Sequence, residues 1–178
     1  DNNVIHRLGT LWHGCYGIVN RFASQTKITH NDLFDLHWDA IGLDARWDWK
    51  GENYSVDNEI AYNRLHHLGL GYHTDAGGVY QFGPLNTHIH HNVIHDTYAY
   101  PYICGYAGIY LDEQSRGAVV EHNLVHNVTW YAYFQHWGQD NVFRNNLGAF
   151  ATHGMFGRGG VDGRKSINQC EFIRNVYL

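Results

Sequence analysis

Asn92-Val93-Ile94-His95 returns as Asn123-Leu124-Val125-His126, and five further copies carry the same pattern. They are Asn3-Val4-Ile5-His6, Asn31-Asp32-Leu33-Phe34, Asn63-Arg64-Leu65-His66, Asn146-Leu147-Gly148-Ala149 and Asn175-Val176-Tyr177-Leu178. By subtraction, successive asparagines lie 28, 32, 29, 31, 23 and 29 residues apart. Self-similarity at this period predicts a solenoid, in which each repeat buries its apolar face only against its neighbours.

The columns beside the asparagine decide which solenoid. Three residues before it stand Ile28, Ile60, Ile89, Val120, Phe143 and Phe172, all apolar. Two residues after it the column holds Ile5, Leu33, Leu65, Ile94, Val125, Gly148 and Tyr177, without a charge. The position directly after it accepts Asp32 or Arg64 and is expected to face solvent. Such alternation is strand periodicity. Inward parity changes at the asparagine, as at a sharp bend, and Asn tolerates the left-handed conformation that a bend needs.

A third strand aligns upstream of each unit. Its copies begin at Gly17, Ala40, Gly78, Gly108, Ala132 and Gly154. Three short strands per repeat predict an all-β fold, a single-stranded parallel β-helix of six to seven coils. Its hand is expected to be right-handed, as parallel crossovers usually are. The repeat runs through residues 1–178, which predicts one domain. Neither end shows a polar cap over its coil, so the chain is expected to continue into neighbouring coils of a longer protein.

Composition narrows the function classes. The net charge of −5 and only three lysines, Lys27, Lys50 and Lys165, argue against a nucleic-acid partner. No apolar run approaches the roughly 18 residues of a membrane span, and no signal peptide is expected within these residues. Cys15, Cys104 and Cys170 form no CxxC pair and are expected to be small buried residues. Neither a cofactor nor a metal is called for. His66, His95 and His126, with His6, share one column that is expected to be a stacked surface ladder rather than a metal site. The denser cluster of His88, His90 and His91 lies on the approach to the Asn92 bend and is read as structural.

Chemistry is expected in the long loops that follow each Asn strand, around residues 35–39, 68–77 and 96–107. Stacked along one side, they would build a groove suited to an extended polymer. The column ending the upstream strand reads Arg21, Asp44, Phe82, Asp112, His136 and Arg158. It places Asp112 beside His136 on the next coil, with Arg158 following. Asp75 enters the coil before Asp112. Two carboxylates one coil apart could lie within the range of about 5 to 9.5 Å used by glycoside hydrolases; the alternative is outward polar residues capping loops. Trp38, Trp47 and Trp49, mixed with Asp39, Asp44, Arg46 and Asp48, either stack on sugar rings or form a loop core.

Three stretches carry a family likeness: Thr74-Asp75 through Gly83, Ala107 through Asp112-Glu113-Gln114-Ser115, and Gln135-His136-Trp137-Gly138 through Asn146. In their order they resemble bacterial β-helix proteins similar to glycoside hydrolase family 141. The likeness covers roughly residues 55 to 160. It implies hydrolysis of a plant or algal polysaccharide, the family including activities on fucosides and xylan. It also implies a secreted or periplasmic location and an aspartate pair matching Asp75 and Asp112. The chain departs from the pattern where His-Gln-His-Tyr-Gly is replaced by Phe134-Gln135-His136-Trp137-Gly138. A second departure is Gln114, where a glycine commonly follows the Asp-Glu pair.

The catalytic candidates are therefore Asp75 and Asp112, with acid and base roles open. His136, Arg158, Asp44, Trp47, Trp49, Tyr72, Glu113 and Trp137 are the candidates for binding an oligosaccharide or polysaccharide. Two rivals use the same scaffold: a polysaccharide lyase or epimerase, and a non-catalytic carbohydrate-binding or adhesin module.

Overall fold

The computed structural model describes residues 1–45, 55–101, 104–160 and 169–178. Every regular element among them is a strand. After β1 (Val4–His6) the chain winds in triplets. These are β2 (Ile18–Arg21), β3 (Lys27–Thr29) and β4 (Asp32–Leu36), then β5 (Ile41–Asp44), β6 (Glu59–Ala61) and β7 (Arg64–Leu68). Next come β8 (Ala76–Phe82), β9 (His88–His90) and β10 (Val93–Thr97), then β11 (Tyr106–Leu111), β12 (Val119–Glu121) and β13 (Leu124–Val128). The winding ends with β14 (Tyr131–His136), β15 (Asn141–Arg144) and β16 (Leu147–Ala151), then β17 (Gly154–Gly159), β18 (Cys170–Ile173) and β19 (Val176–Tyr177).

Each strand pairs in parallel with its counterpart one coil away, giving three sheets of seven, six and six strands. The fold is a parallel β-helix. The seven-stranded sheet holds the seven Asn repeats in register, for example Ile94 opposite Leu65 and Val125. Their inward partners Leu33, Leu65, Ile94 and Val125 are fully buried, as are Ile60, Ile89, Val120 and Phe143.

The bend is built differently from the sequence expectation. Left-handed backbone falls on the residue before each asparagine: Asn2, His30, Tyr62, His91, His122, Asn145 and Arg174, with φ between 50° and 58°. The asparagine turns its amide inward instead. Asn63 donates its backbone N–H and its Nδ2 to Oδ1 of Asn92, both at 3.0 Å. Asn92 does the same to Asn123 at 2.9 and 3.0 Å, and its Nδ2 also reaches the Ile60 carbonyl at 2.9 Å. Five of these side chains are at most 3 % exposed. Buried amides must be hydrogen-bonded, and the stack satisfies each one with the next coil.

The histidine column stacks on the outer face as expected, but it is more covered than an open surface: His6 is exposed and Phe34, His95 and His126 are half-buried. Rings of His6, Phe34, His66, His95 and His126 lie 4.9 to 5.0 Å apart and nearly parallel. His66 is buried, because each ring is covered by its neighbours. Carboxylates also serve this column, Asp32 at 3.1 Å from His66 and Asp96 at 2.8 Å from His95. Of the denser cluster, His88 pairs with Glu121 at 2.8 Å and His90 with Glu59 at 3.3 Å.

The sheet of β2, β5, β8, β11, β14 and β17 positions the site. Its strands align Ile18, Ile41, Val79, Ile109, Tyr133 and Phe156 in one inward row. That register confirms the upstream alignment through Ala132 but corrects the last coil. Tyr131 pairs with Gly154, so Met155 rather than Gly154 is the counterpart of Ala132. A one-residue shift moves a side chain to the other face. Arg158 accordingly pairs with Gln135, a fully buried inward residue, and Gly159 takes the place beside His136.

Candidate active site

On the outer face of this sheet, alternate residues of neighbouring strands form two parallel rows. One row runs Tyr80, Tyr110 and Phe134, successive residues in the pairing. Two residues further along lie Phe82, Asp112 and His136. Between and beside these rows is a cleft of about 380 Å³, lined by both aspartates, Tyr80, Tyr110, Trp130 and His136 among others. Phe82, Glu113, Phe134, Cys104 and the glycines Gly159 and Gly160 complete the lining.

Asp112 ends the β11 row and is only 6 % exposed. Its Oδ1 accepts the Glu113 backbone N–H at 2.8 Å and meets His136 Nδ1 at 2.7 Å. Its Oδ2 accepts the Tyr80 hydroxyl. Hydrogen bonding to the Asp112 carboxylate pulls the His136 imidazole above its ordinary pKa, against the opposing effect of burial. The adjacency of Asp112 and His136 read from the repeat is thus present in the structure.

Asp75 sits at the entry to β8 with left-handed backbone, φ 58°. Its Oδ1 accepts the Tyr110 hydroxyl at 3.1 Å. Water reaches this residue, yet surrounding protein desolvates the carboxyl enough to raise its pKa, and the Asp112 charge raises it further. The Tyr110 hydrogen bond, the His136 charge and a hydrogen bond from the Cys104 thiol oppose that rise. Rings of Tyr80 and Tyr110 are 5.0 Å apart and meet edge to face. One phenol donates to each aspartate. Burial, reinforced by the Asp112 charge, pushes both phenols far above the ordinary tyrosine range.

A third carboxyl lies behind this face. Asp39 is 1 % exposed and accepts the Gly77 N–H at 2.7 Å. Burial raises its pKa well above the usual carboxylate range, with the Gly77 N–H opposing and the Asp44 and Asp75 charges adding to the rise.

The remaining candidates divide. Glu113 lines the cleft. Trp137 stacks on His136, centroids 4.5 Å apart, and buttresses the imidazole rather than lining the cleft. Asp44 lies in the Phe82 row, ion-paired with Arg21 at 2.9 Å. Tyr72 is half exposed and packs on His13 and His37, outside the cleft lining. Arg158 has turned to the inward row, where its side chain meets Cys170. Trp47 and Trp49, with Arg46 and Asp48, lie outside the described residues; Trp38 is half-buried with its edge on His73, 4.2 Å between centroids. Sequence reasoning passed over Tyr80, Tyr110, Trp130, Phe134 and Cys104. For the two tyrosines and Phe134 a signal existed: strand alternation places them two residues from the Phe82–Asp112–His136 row, on the same face. Among the described residues no cluster of three or more His, Cys, Asp or Glu side chains could hold a metal ion.

No family model and no curated protein matches the chain. Solved structures do. The chain shares its fold with the periplasmic alginate epimerase AlgG. The TM-score is 0.68 at 15 % identity, over 98 % of this chain and 39 % of that one. A mutant of the same epimerase gives 0.72 at 16 %, over 99 % and 38 %. A protein described as a glycoside hydrolase gives 0.64 at 20 %, over 98 % of this chain and 24 % of that one. The chain therefore spans about two-fifths or less of these structures, and at such identities the likeness establishes the β-helix alone.

Proposed function

We propose that this chain forms the catalytic β-helix of a glycoside hydrolase acting on a plant or algal polysaccharide. Asp75 is the general acid, and Asp112 the nucleophile or general base. The observation that carries this reading is one cleft holding two carboxyl groups in unlike surroundings. Asp75 stays open to water, but partial desolvation by the surrounding protein and its neighbour's charge raise it, as suits a proton donor to the leaving oxygen. Asp112 is met by three donors, the natural partners of an acceptor-only carboxylate. His136 orients Asp112 from the next coil. The resemblance to glycoside hydrolase family 141 and the glycoside hydrolase among the fold neighbours support the assignment. The periplasmic epimerase of the same fold supports a periplasmic or extracellular location.

Epimerase or lyase chemistry on the same scaffold is the second reading, favoured by the AlgG neighbours. It needs a base for a carbon-bound proton and cations for a uronate carboxylate. Here both phenols are driven toward their protonated form, and a uronate would approach Asp112 and Glu113 with like charge. Product analysis separates the readings. Incubation with neutral plant polysaccharides should release new reducing ends without an unsaturated product. Epimerised or unsaturated uronate from alginate would replace the hydrolase assignment, and binding without any product would mark a non-catalytic module.

A further inference from the structure

A second hollow adjoins the cleft toward the first coils. It measures about 340 Å³ and is lined by Tyr16, Arg21, Phe22, Asp44, Tyr80 and Phe82. Tyr80 and Phe82 line both hollows, so the two are neighbours along the sheet face. Strand register fixes their spacing. Arg21 pairs with Asp44 and Asp44 with Phe82, while the Asp112 N–H bonds the Gln81 carbonyl next to Phe82. Asp44 and Asp112 are thus two coils apart in one row, about 10 Å at the usual strand spacing.

The lining is of the kind that holds a sugar. Phe22 is 56 % exposed, and the Tyr16 ring packs closely on Gly42, where a Cβ would stand 2.5 Å from the ring's Cδ1 and Cε1. Aromatic faces suit the C–H face of a pyranose. In the same lining, Arg21 Nε and Asp44 Oδ2 form a pair at 2.9 Å that offers donors and acceptors with no net charge. Adjacent hydroxyls match such a pair. A carboxylate or sulfate would have to compete with Asp44 for the guanidinium.

We infer that this hollow is a binding subsite for one uncharged pyranose of the substrate chain, two coils from the aspartate pair. It rests on the reading of the cleft as the place where that chain is cut. The substrate polymer then runs along the helix axis, across successive coils.

The test uses the cleavage-impaired Asp112→Asn protein. Calorimetry measures its affinity for xylo-, cello- and manno-oligosaccharides of two and five units, with alginate oligomers as the charged arm. In this background Phe22→Ala and Arg21→Ala are expected to weaken the pentasaccharide by about tenfold and leave the disaccharide unchanged. Melting temperatures should match the parent. Equal effects on both lengths, no effect on the pentasaccharide, or preferential binding of alginate would overturn the subsite. Wild-type protein that binds with this length dependence yet cleaves nothing would sink the hydrolase reading and leave the subsite standing. Cleavage without length dependence would do the reverse, and absence of binding to every glycan would overturn both.

Discussion

At the residue scale the site is a matter of unlike neighbours. Asp75 is raised chiefly by desolvation and then by the Asp112 charge, while the Tyr110 hydroxyl opposes the rise. The signs of two substitutions follow. Asp112→Asn removes a like charge, so the Asp75 titration followed by carboxyl ¹³C NMR should move to lower pH. Tyr110→Phe removes a donor to the carboxylate, so it should move to higher pH. An unshifted Asp75 in both variants would mean that the two aspartates do not act as a pair. Asp75, Asp112 and His136 were legible in the sequence because the repeat supplies register. The tyrosines were equally legible by alternation, but their phenols look like ordinary strand residues until burial and the carboxyl partners are known. Cys104 lies in a loop without periodicity, and no count from the repeat leads to it.

At the element scale the asparagine column is a continuous buried amide stack, not a row of left-handed bends. Asn92 accepts both donors of Asn63 and donates to Asn123 and to two carbonyls. Asn92→Leu strands these groups and should cost about 2 to 4 kcal/mol in urea denaturation. Gly108 shows a different constraint, since a Cβ there would stand 2.6 Å from the Ala132 carbonyl oxygen and against Val125. The repeat was readable because the same amino acid does the same work in every coil. The last upstream strand was not, because Gly154-Met155-Phe156-Gly157 puts two apolar residues side by side and leaves parity open. Only pairing to Tyr131 settles it.

The histidines on these strands make stability depend on pH. Burial lowers His66, His90 and His126 below the free imidazole value, so protons bind the unfolded chain better than the folded one. Their contribution is complete above about pH 6.5 and is lost as pH falls through the lowered values. Glu121 adds to the loss at stronger acid, being held down to about 2 by Arg144 and His88. His136 works in the opposite sense, its raised value favouring the folded state below the free imidazole pKa and losing that contribution as pH rises. The raised Asp39 and Asp75 gain stability as pH falls and oppose this trend, so the histidine share is read by difference. The melting midpoint of a His66→Asn, His90→Asn, His126→Asn variant should depend less on pH below about 6.5 than that of the wild type. An equal dependence would contradict the histidine assignment.

At the scale of the whole molecule the three sheets divide the work. The Asn sheet and the sheet beside it carry amide and imidazole stacks that hold the coils in register, and the remaining sheet carries the cleft on its outer face. A strand periodicity of two sends alternate residues of that sheet into the core and into the cleft, so one register places both the buried row and the reactive row. The central claim is that Asp75 and Asp112 cleave a glycosidic bond there. Its most direct test is the turnover of Asp112→Asn on the polysaccharide that the wild-type protein cuts, with folding checked by its melting temperature. The account predicts a loss in kcat of about 10²-fold or more in a fully folded protein. Wild-type turnover by the folded variant would contradict it.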